Sequence, residues 1–427
     1  MKSIKLLFIS LFFTLFCIQV HSQTHVNREW ISSMADPDTL KWSASITNGS
    51  NELYHVGNTK IFGEGTNVLI SKYDNNGDIL WQEDYNTSID NNDYGIAVSI
   101  DGSDNVYILG TTDNDTIHDY DYILLKYSSN GNLIWDKQFD SGFNFNDVGT
   151  DLTVLDNGQA IFATIASESS VDDFDFLTVR FDGSGDTLWT RRYDHNNMTE
   201  IPTGIGVSGT KVKVIGASAE STSDWDYTMV VYATNGNFIT EKREAYPGIG
   251  FDKPIDFVKD DNDNIYITGT ASSDGINYDI RTIKLDADFD LVWDESVDFA
   301  GNYDAGHTIE LDGDGNVYVG GVSKSALNID QMCFVKYNSS GNEEWKYTNA
   351  GQDNSQHATI KDVIINADNE IYFFGDEVGK NGYDQVALMK LNAEGKTIWH
   401  RKINSSPKNL EAVQISFDES ENIYAVI

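Results

Sequence analysis

The stretch NVYILGTTDNDTIHDYDYILLKYSSNGNLIW, residues 105–135, decides the fold because versions of it recur along the chain. Its basic residue belongs to a series of seven positions spaced by 54, 54, 51, 53, 52 and 54 residues. The series reads Lys72, Lys126, Arg180, Val231, Lys284, Lys336 and Lys390. Nine residues after each of these come Trp81, Trp135, Trp189, Thr240, Trp293, Trp345 and Trp399. A repeat of about 50 residues indicates one supersecondary unit that is used many times.

Four apolar runs within one period predict four β-strands. They are rich in Val, Ile, Leu, Tyr and Phe and cover residues 96–100, 106–112, 122–127 and 133–139. Asp, Asn, Ser and Gly bound these runs, and no helical periodicity of useful length follows residue 25. Four antiparallel strands per period predict an all-β fold, a β-propeller of four-stranded blades.

The two ends of the chain predict an additional, shared blade. Residues 28–33 with Trp30 have the pattern of a fourth strand that has no first three strands before it. Residues 412–418 and 422–427 have the pattern of a first and a second strand. We expect seven complete repeats and a partial eighth that the N-terminal strand completes, with a seven-bladed ring as the alternative. On this interpretation the natural chain continues beyond Ile427.

Residues 1–22 have the features of a secretory signal peptide. Lys2 and Lys5 precede a short apolar run, and cleavage is expected before Gln23. Residues 23–427 are then expected to form one domain without a membrane span. The only cysteine left is Cys333, so no intramolecular disulfide can form, and the thiol is expected in the core. Export without disulfides favours a bacterial protein that is secreted or held on the outer cell surface.

The charge of the chain excludes several classes of partner. Removal of the two N-terminal lysines leaves 27 basic and 67 acidic residues, and 27 − 67 = −40. Such a field repels nucleic acids and anionic lipid surfaces, and it favours a soluble monomer. It can attract Ca²⁺ or cationic partners.

The repeated residues resemble a known bacterial family. The pattern D-x-x-G-N-x-Y-x-x-G, then D-x-x-x-x-K, then G-x-x-x-W stands, with small variations, at Asp101–Gly110, Asp121–Lys126 and Gly131–Trp135. It resembles the β-propeller repeat called SBBP, over about residues 28–427. The resemblance implies an exported protein of a Bacteroidota-like bacterium, often with a C-terminal sorting domain, and this sequence ends before any such domain. It implies a fold more firmly than an activity.

Each class of recurring residue has a structural and a functional interpretation. The tryptophans are expected to pack between neighbouring blades rather than to stack on carbohydrate. Their Gly-x-x-x-Trp context also looks like the tryptophan-docking motif of quinoprotein dehydrogenases, which is structural as well. The basic residues are expected to pair with the aspartates five positions upstream, although a role in lining a channel is the alternative. Those aspartates are Asp121, Asp175, Asp226 and Asp279.

No motif assigns a catalytic residue, a cofactor or a metal. The acidic stretches 101–105, 260–264 and 312–316 have the lengths and residues of tight turns, and they lack the spacing of an EF-hand loop. Calcium is the single ligand left open. The boxes of sialidases fail here because the Gly-to-Trp gap is one residue too long, and the histidines show no metal-ligand spacing. An enzyme is therefore disfavoured, although propeller sites assembled from distant loops escape motif searches.

The two sets of connections within a repeat differ in character. Those between the second and third strands, and between the fourth strand and the next first strand, are long, variable and acidic, with aromatic residues. Examples cover residues 85–94, 113–120, 167–174 and 218–225. Variable loops on a rigid scaffold are typical binding surfaces, so a scaffold for an extracellular protein or glycan is expected. A polysaccharide-acting enzyme or its accessory domain, and a structural spacer of a larger surface protein, are the alternatives.

Overall fold

A computed structural model shows that the chain is made of antiparallel β-sheets. The described residues are 18–20, 26–28, 40–61, 65–75, 77–87, 92–114, 119–142, 145–170, 173–299, 303–349, 357–379, 382–403, 411–417 and 423–426. Across these ranges the secondary structure consists of strands and turns, and none of it is a helix that could cross a membrane.

Seven sheets have four strands each, which lie side by side in chain order and are called a, b, c and d. Sheets 1 and 2 consist of β3 (Leu40–Thr47), β4 (Leu53–Ile61), β5 (Gly65–Tyr73), β6 (Ile79–Tyr85), β7 (Asp93–Ile100), β8 (Val106–Asn114), β9 (Asp119–Tyr127) and β10 (Leu133–Phe139). Sheets 3 and 4 consist of β11 (Asp147–Val154), β12 (Ala160–Ser170), β13 (Asp173–Asp182), β14 (Thr187–Tyr193), β15 (Glu200–Ser208), β16 (Lys211–Ser221), β17 (Asp224–Ala233) and β18 (Phe238–Glu244).

The remaining sheets follow the same order. Sheets 5 to 7 consist of β19 (Lys253–Lys259), β20 (Ile265–Ala271), β21 (Asp279–Leu285), β22 (Leu291–Val297), β23 (Asp304–Leu311), β24 (Val317–Lys324), β25 (Asp330–Tyr337), β26 (Glu343–Asn349), β27 (Ala358–Ile365), β28 (Ile371–Val378), β29 (Asp384–Leu391) and β30 (Thr397–Ile403). Two strand pairs complete the set: β1 (Ile18–Val20) with β2 (Val26–Arg28), and β31 (Gln414–Phe417) with β32 (Ile423–Val426). The predicted all-β fold with four strands per period is confirmed.

The strand pairs at the two ends bear on the expected shared blade. The predicted strands at 412–418 and 422–427 are present as β31 and β32. The predicted strand at 28–33, including Trp30, lies outside the described residues except for Arg28. Arg28 ends β2, which pairs with β1.

The chain divides into two compact units. The first unit comprises Asp36–Thr222 and Asp226–Glu244, and it contains sheets 1 to 4 except for the first two residues of β17. The second unit comprises Ser223–Trp225 and Ala245–Ile427, with residues 1–35 also assigned to it. Sheets 5 to 7 and the pair β31–β32 therefore belong to the second unit.

The position of a strand in its sheet decides how its residues are used. In strand b of sheet 5, β20, all seven residues are buried, because this strand has paired neighbours on both sides and packing on both faces. Strand d is the sheet edge, and in β10 exposed and half-buried residues alternate after the first position. This explains why the runs at strand b contain almost only apolar and small residues, whereas strand d contains charges.

Within each unit, the hydrophobic cores lie between successive sheets. One cluster joins Val56 and Ile70 of sheet 1 to Ile108 and Leu125 of sheet 2. In the second unit, another cluster joins residues of sheets 5 and 6 and includes Cys333, which is fully buried as expected. Burial raises the pKa of this thiol well above its usual range, so it is a core residue.

Half-buried aspartates also connect the first strands of neighbouring sheets. The carboxylate of Asp151 accepts the backbone N–H of Ile205, at 2.8 Å. The same contact recurs between Asp256 and Ile309 and between Asp362 and Ile415, at 2.9 Å each. Each of these aspartates follows the irregularity in the a–b pairing of its sheet, which turns the side chain toward the next sheet.

Candidate functional site

The recurring tryptophan and basic residue hold the same atom of the next sheet. Lys72 and Trp81 face each other as cross-strand partners of strands c and d. Trp81 Nε1 donates a hydrogen bond to the carbonyl oxygen of Ser129 at 3.0 Å, and Lys72 Nζ donates to that oxygen at 3.4 Å. Ser129 lies in the c–d turn of sheet 2. The indole face lies against Gly131 of the same turn, where an added β-carbon would come within 2.7 Å of the ring.

This joint is repeated in both units. Trp189 and Arg180 donate to the carbonyl of Thr234 at 3.0 and 2.6 Å. In the second unit, Trp345 and Lys336 donate to the carbonyl of Ala393 at 3.0 and 3.5 Å. Trp135 and Trp293 also lie against the c–d turn glycine of the following sheet, and Trp399 packs in the core that includes β31 and β32. The geometry gives the repeated tryptophans and basic residues a structural use.

The expected pairing of the basic residues with the aspartates five positions upstream is wrong. Five residues of a strand span about 16 Å, which is too far for an ion pair. Lys72, Lys336 and Lys390 instead form salt bridges with glutamates near their own end of the sheet, at 2.7, 2.8 and 2.6 Å; these are Glu52, Glu344 and Glu370. Lys126 and Lys284 lie over tyrosine rings, those of Tyr107 and Tyr266, at 4.7 and 4.8 Å.

The acidic a–b turns use their first aspartate to hold the turn. Asp101 Oδ1 accepts the backbone N–H groups of Ser103 and Asn105, at 2.9 and 3.0 Å. Its Oδ2 accepts from the side chain of Asn105 and from the hydroxyl of Tyr107. Asp260 and Asp312 make the same contacts in sheets 5 and 6. These carboxylates are occupied within their own turns, as the turn interpretation requires.

The aspartates upstream of the basic residues lie on the opposite side of the sheets, which we call the loop face. It carries the b–c connections and the connections from strand d to the next strand a. There, the acid at the start of strand c bonds a strand d side chain 17 residues later. Asp121 accepts from Gln138 at 2.8 Å, Asp175 from Arg192 at 2.5 Å, and Asp226 from Arg243 at 2.9 Å.

A second recurring acid closes the connection between sheets on the loop face. It stands at or just before the start of strand a, and its carboxylate accepts a backbone N–H from the preceding connection. These acids are Asp93, Asp147, Glu200, Asp252 and Asp304, which accept from Thr87, Ser141, His195, Tyr246 and Phe299 at 2.8, 2.6, 3.2, 2.9 and 2.8 Å. The sequence analysis missed this role, although each acid stands 20 or 21 residues after a member of the repeated series that begins with Lys72.

Carboxylates from strand c, the end of strand d and the next strand a meet at three described places. In each group, one carboxylate oxygen per residue lies within 4.8 Å of the others. The first acidic group is Asp121, Asp140 and Asp147; the second is Asp175, Asp194 and Glu200; the third is Asp279, Asp298 and Asp304. The two buried members of the first group flank the exposed Asp140, which leaves that group open to solvent.

In the second acidic group, an arginine of the chain itself compensates part of the negative charge. Arg192 donates to Asp175, and its other terminal nitrogen donates to Ser167 Oγ at 2.8 Å. Glu200 is fully buried, and this burial raises its pKa to about 8, so its carboxyl is protonated at neutral pH. In the third group, burial and then the charges of Asp298 and Asp304 raise the pKa of Asp279 to about 6. Burial, reinforced by the neighbouring carboxylates, therefore makes these two acids resist ionisation.

Glu200 makes the stability of the first unit depend on pH. Its pKa in the folded state is above that of an exposed glutamate, so the folded chain binds the proton more tightly. The stabilisation is complete below about pH 4.5 and is lost as pH rises through about 8. We expect the melting temperature to fall between pH 5 and pH 9, and the variant Glu200→Gln, which keeps the shape and neutrality, to fall less steeply. Differential scanning calorimetry in matched buffers measures this, and equal slopes for both proteins would contradict the assignment to Glu200.

Large apolar side chains are exposed on the loop face of the second unit. Leu327 is 81% exposed, Ile276 is 76% exposed and Ile249 is 57% exposed. All three lie in b–c or sheet-to-sheet connections, together with the exposed rings of Phe251 and Tyr303. These connections are bounded by acids such as Asp274 and Asp279. The surface formed by Ile249, Phe251, Ile276, Tyr303 and Leu327 is called the apolar loop surface below.

Backbone contacts hold this surface in place. Tyr278 and Tyr303 form an isolated parallel bridge, with their rings 5.9 Å apart. Trp225 and Phe251 form another, with their rings 5.6 Å apart. The N–H of Ile249 reaches the carbonyl of Ser273 at 3.4 Å. The connections therefore present their apolar side chains from a backbone that is already ordered.

Comparison with known proteins addresses the fold. No protein-family model matches the sequence, and no curated protein matches it either. Among solved structures, the chain is similar to apo AztD from Citrobacter koseri, a β-propeller, with a TM-score of 0.51 and 9% identity over 97% of this chain and 95% of that one. It is also similar to the β-propeller domain of the Trilobed protease from Pyrococcus furiosus, with a TM-score of 0.47 and 9% identity over 87% and 97% of the two chains.

The likeness to AztD concerns the fold alone, because the two sequences share few residues. It agrees with the four-stranded antiparallel sheets of this chain. This chain has the fold of a β-propeller, an architecture suited in general to a scaffold or interaction role.

Proposed function

We propose that this protein is an exported bacterial binding scaffold whose loop face holds a cationic polypeptide partner. The observation that carries the proposal is the apolar loop surface. Large apolar side chains are most exposed in the connections of this face, on a chain with a net charge of −38. Contiguous exposed apolar side chains with a polar rim mark interaction sites in soluble proteins.

The chemistry of the partner follows from the two components of the surface. Ile276 and Leu327 offer apolar contact, and the neighbouring Asp274, Asp279 and Asp298 offer negative charge. A polypeptide with lysine or arginine near an apolar side chain satisfies both. The acidic field also speeds the encounter with such a partner and makes it depend on ionic strength.

Export to the bacterial surface is part of the same proposal. It is supported by the signal-like residues 1–22, by the single cysteine that remains after their removal, and by the resemblance to SBBP repeats. A rigid scaffold with variable loops suits this setting, because the loops can change without disturbing the joints on the opposite side of the sheets.

Binding to defined peptides tests the proposal. We expect synthetic peptides that combine basic and aromatic or aliphatic residues to bind the purified chain, and acidic peptides of equal hydrophobicity not to bind. The double variant Ile276→Ser with Leu327→Ser should weaken binding at least tenfold, since it removes the most exposed apolar contacts. The matched control is Ile134→Ser with Leu188→Ser, which removes exposed apolar side chains of strands d and should leave the affinity unchanged.

Other outcomes distinguish the alternatives. Equal losses of peptide affinity in both double variants would contradict binding at the apolar loop surface. Binding on a glycan array, in the absence of peptide binding, would favour a protein that acts on or holds polysaccharide. Absence of both peptide binding and glycan binding would favour a structural spacer.

A further inference from the structure

The first acidic group lacks the arginine that lies beside the second. In sheets 3 and 4, an arginine of strand d bonds the strand c aspartate, namely Arg192 to Asp175 and Arg243 to Asp226. In sheet 2 the same position holds Gln138, whose neutral amide donates to Asp121. The fold thus places a guanidinium beside this aspartate in sheets 3 and 4, whereas the equivalent side chain is neutral in sheet 2 and also in sheet 5, where Ser296 stands beside Asp279.

Asp147 provides an independent indication of a missing ligand. The residue is fully buried, with 0% exposure, and its Oδ2 accepts the N–H of Ser141. Its Oδ1 is also buried and receives no hydrogen bond of regular geometry in the described part of the chain, where the hydroxyl of Ser167 is its polar neighbour. A buried carboxylate oxygen without a regular hydrogen bond is costly, and a bound cation would compensate it.

The spacing of the group suits a single ion. Carboxylate oxygens of Asp121, Asp140 and Asp147 lie within 4.8 Å of one another. Oxygens that share one Ca²⁺ at 2.3–2.6 Å are at most about 4.6–5.2 Å apart, whereas the shorter bonds of Mg²⁺ bring them closer together. Because Asp140 is exposed, an ion can enter from solvent and keep water molecules as its other ligands.

We propose that Asp121, Asp140 and Asp147 bind a divalent cation with the hard-oxygen preference of Ca²⁺. The ion takes the place that the guanidinium of Arg192 holds in sheet 3. It joins strand c and the end of strand d of sheet 2 to the first strand of sheet 3.

The test replaces the ion by the side chain that the fold uses elsewhere. Equilibrium dialysis with ⁴⁵Ca²⁺ on the full-length purified protein gives the number of bound ions and their affinity. We expect Gln138→Arg to bind one Ca²⁺ fewer per chain, because its guanidinium occupies the group, and to melt at the same temperature with and without Ca²⁺. Asn132→Arg adds the same charge at the other end of the same hairpin, and it should bind as many ions as the wild-type protein.

A second variant guards against misfolding. Asp140→Asn changes an exposed residue and should weaken the site at least tenfold while leaving the circular dichroism spectrum unchanged. An unaltered number of ions in Gln138→Arg would overturn the proposal. Equal losses in Gln138→Arg and Asn132→Arg would also overturn it, since they would show diffuse attraction to the acidic chain. The absence of Ca²⁺ binding at millimolar concentration in the wild-type protein would do the same.

Discussion

Replacement of Trp81 by alanine is expected to lower the free energy of unfolding by about 3 kcal/mol, the low end for a large aromatic residue because part of the ring is exposed. Three contacts are lost together. The indole stacks near Tyr127, packs edge-on against Tyr54, and donates through Nε1 to the carbonyl of Ser129. Urea denaturation followed by circular dichroism measures the change.

The adjacent residue provides a control for this prediction. Leu80 is 49% exposed on the same edge strand, and Leu80→Ala should change stability by less than about 0.5 kcal/mol, as surface substitutions usually do. If the two variants lost similar stability, the tryptophan would not be the joint between sheets 1 and 2.

Replacement of Gly341 by alanine is expected to destabilise the second unit by about 2–5 kcal/mol, from backbone strain and overpacking together. Gly341 has a φ of +87°, where a side chain is strained. An added β-carbon would also come within 2.7 Å of the indole of Trp293, which is 9% exposed and has little room to move. Thermal unfolding monitored by tryptophan fluorescence should show both a lower melting temperature and an altered signal of the folded state.

A second glycine of similar backbone conformation separates the cost of backbone strain from the cost of overpacking. Gly382 has a φ of +79°, and its β-carbon position has no neighbour within 4 Å. Gly382→Ala should therefore cost only the strain, about 1–2 kcal/mol. Equal costs at the two positions would mean that the close contact with Trp293 is unimportant.

The sequence contained enough information to predict four strands per repeat, although β7 and β9 each begin three residues before the predicted position and β8 ends two residues after it. The offset of nine residues between Lys126 and Trp135 reflects a hairpin in which the two are cross-strand partners. Because apolar runs and turn residues repeat, each period constrained the interpretation of the others. The packing of the tryptophans against a neighbouring turn also follows from regular spacing, since a ligand platform has no need of six equivalent tryptophans.

The contacts of charged residues were harder to predict. A sequence separation of five suggests proximity, yet in a strand it places Asp121 and Lys126 at opposite ends of a sheet. The acidic groups combine residues from three strands and two sheets, so their members stand up to 26 residues apart, as Asp121 and Asp147 do. Only the antiparallel topology shows that these positions share one side of the sheets.

The exposed apolar surface had a partial signal in the sequence. Two of the connections expected to be long, 167–174 and 218–225, are mostly strand, because only residues 171–172 and 222–223 separate the strands there. For the longer connections, the composition of a loop does not show which side chains remain exposed. Phe251 and Ile276 could equally have folded inward. The parallel bridges, such as the one between Trp225 and Phe251, fix that outcome and involve residues far apart in the chain.

The joint between sheets has a consequence for how such a chain can evolve. Most repeats carry both halves of it, the tryptophan and basic residue that reach forward and the turn carbonyl and glycine that receive them from the repeat before. The fourth repeat has Val231 and Thr240 at the forward positions, and the fifth has Phe289 at the position of the turn glycine. The aspartates that accept a backbone N–H from the first strand of the following sheet also connect each repeat to the one after it. Unequal recombination that duplicates or deletes one whole period among the repeats with a complete joint therefore leaves the new boundary with matching halves. The number of repeats can change in a single genetic event, while the loops of each copy are free to diverge.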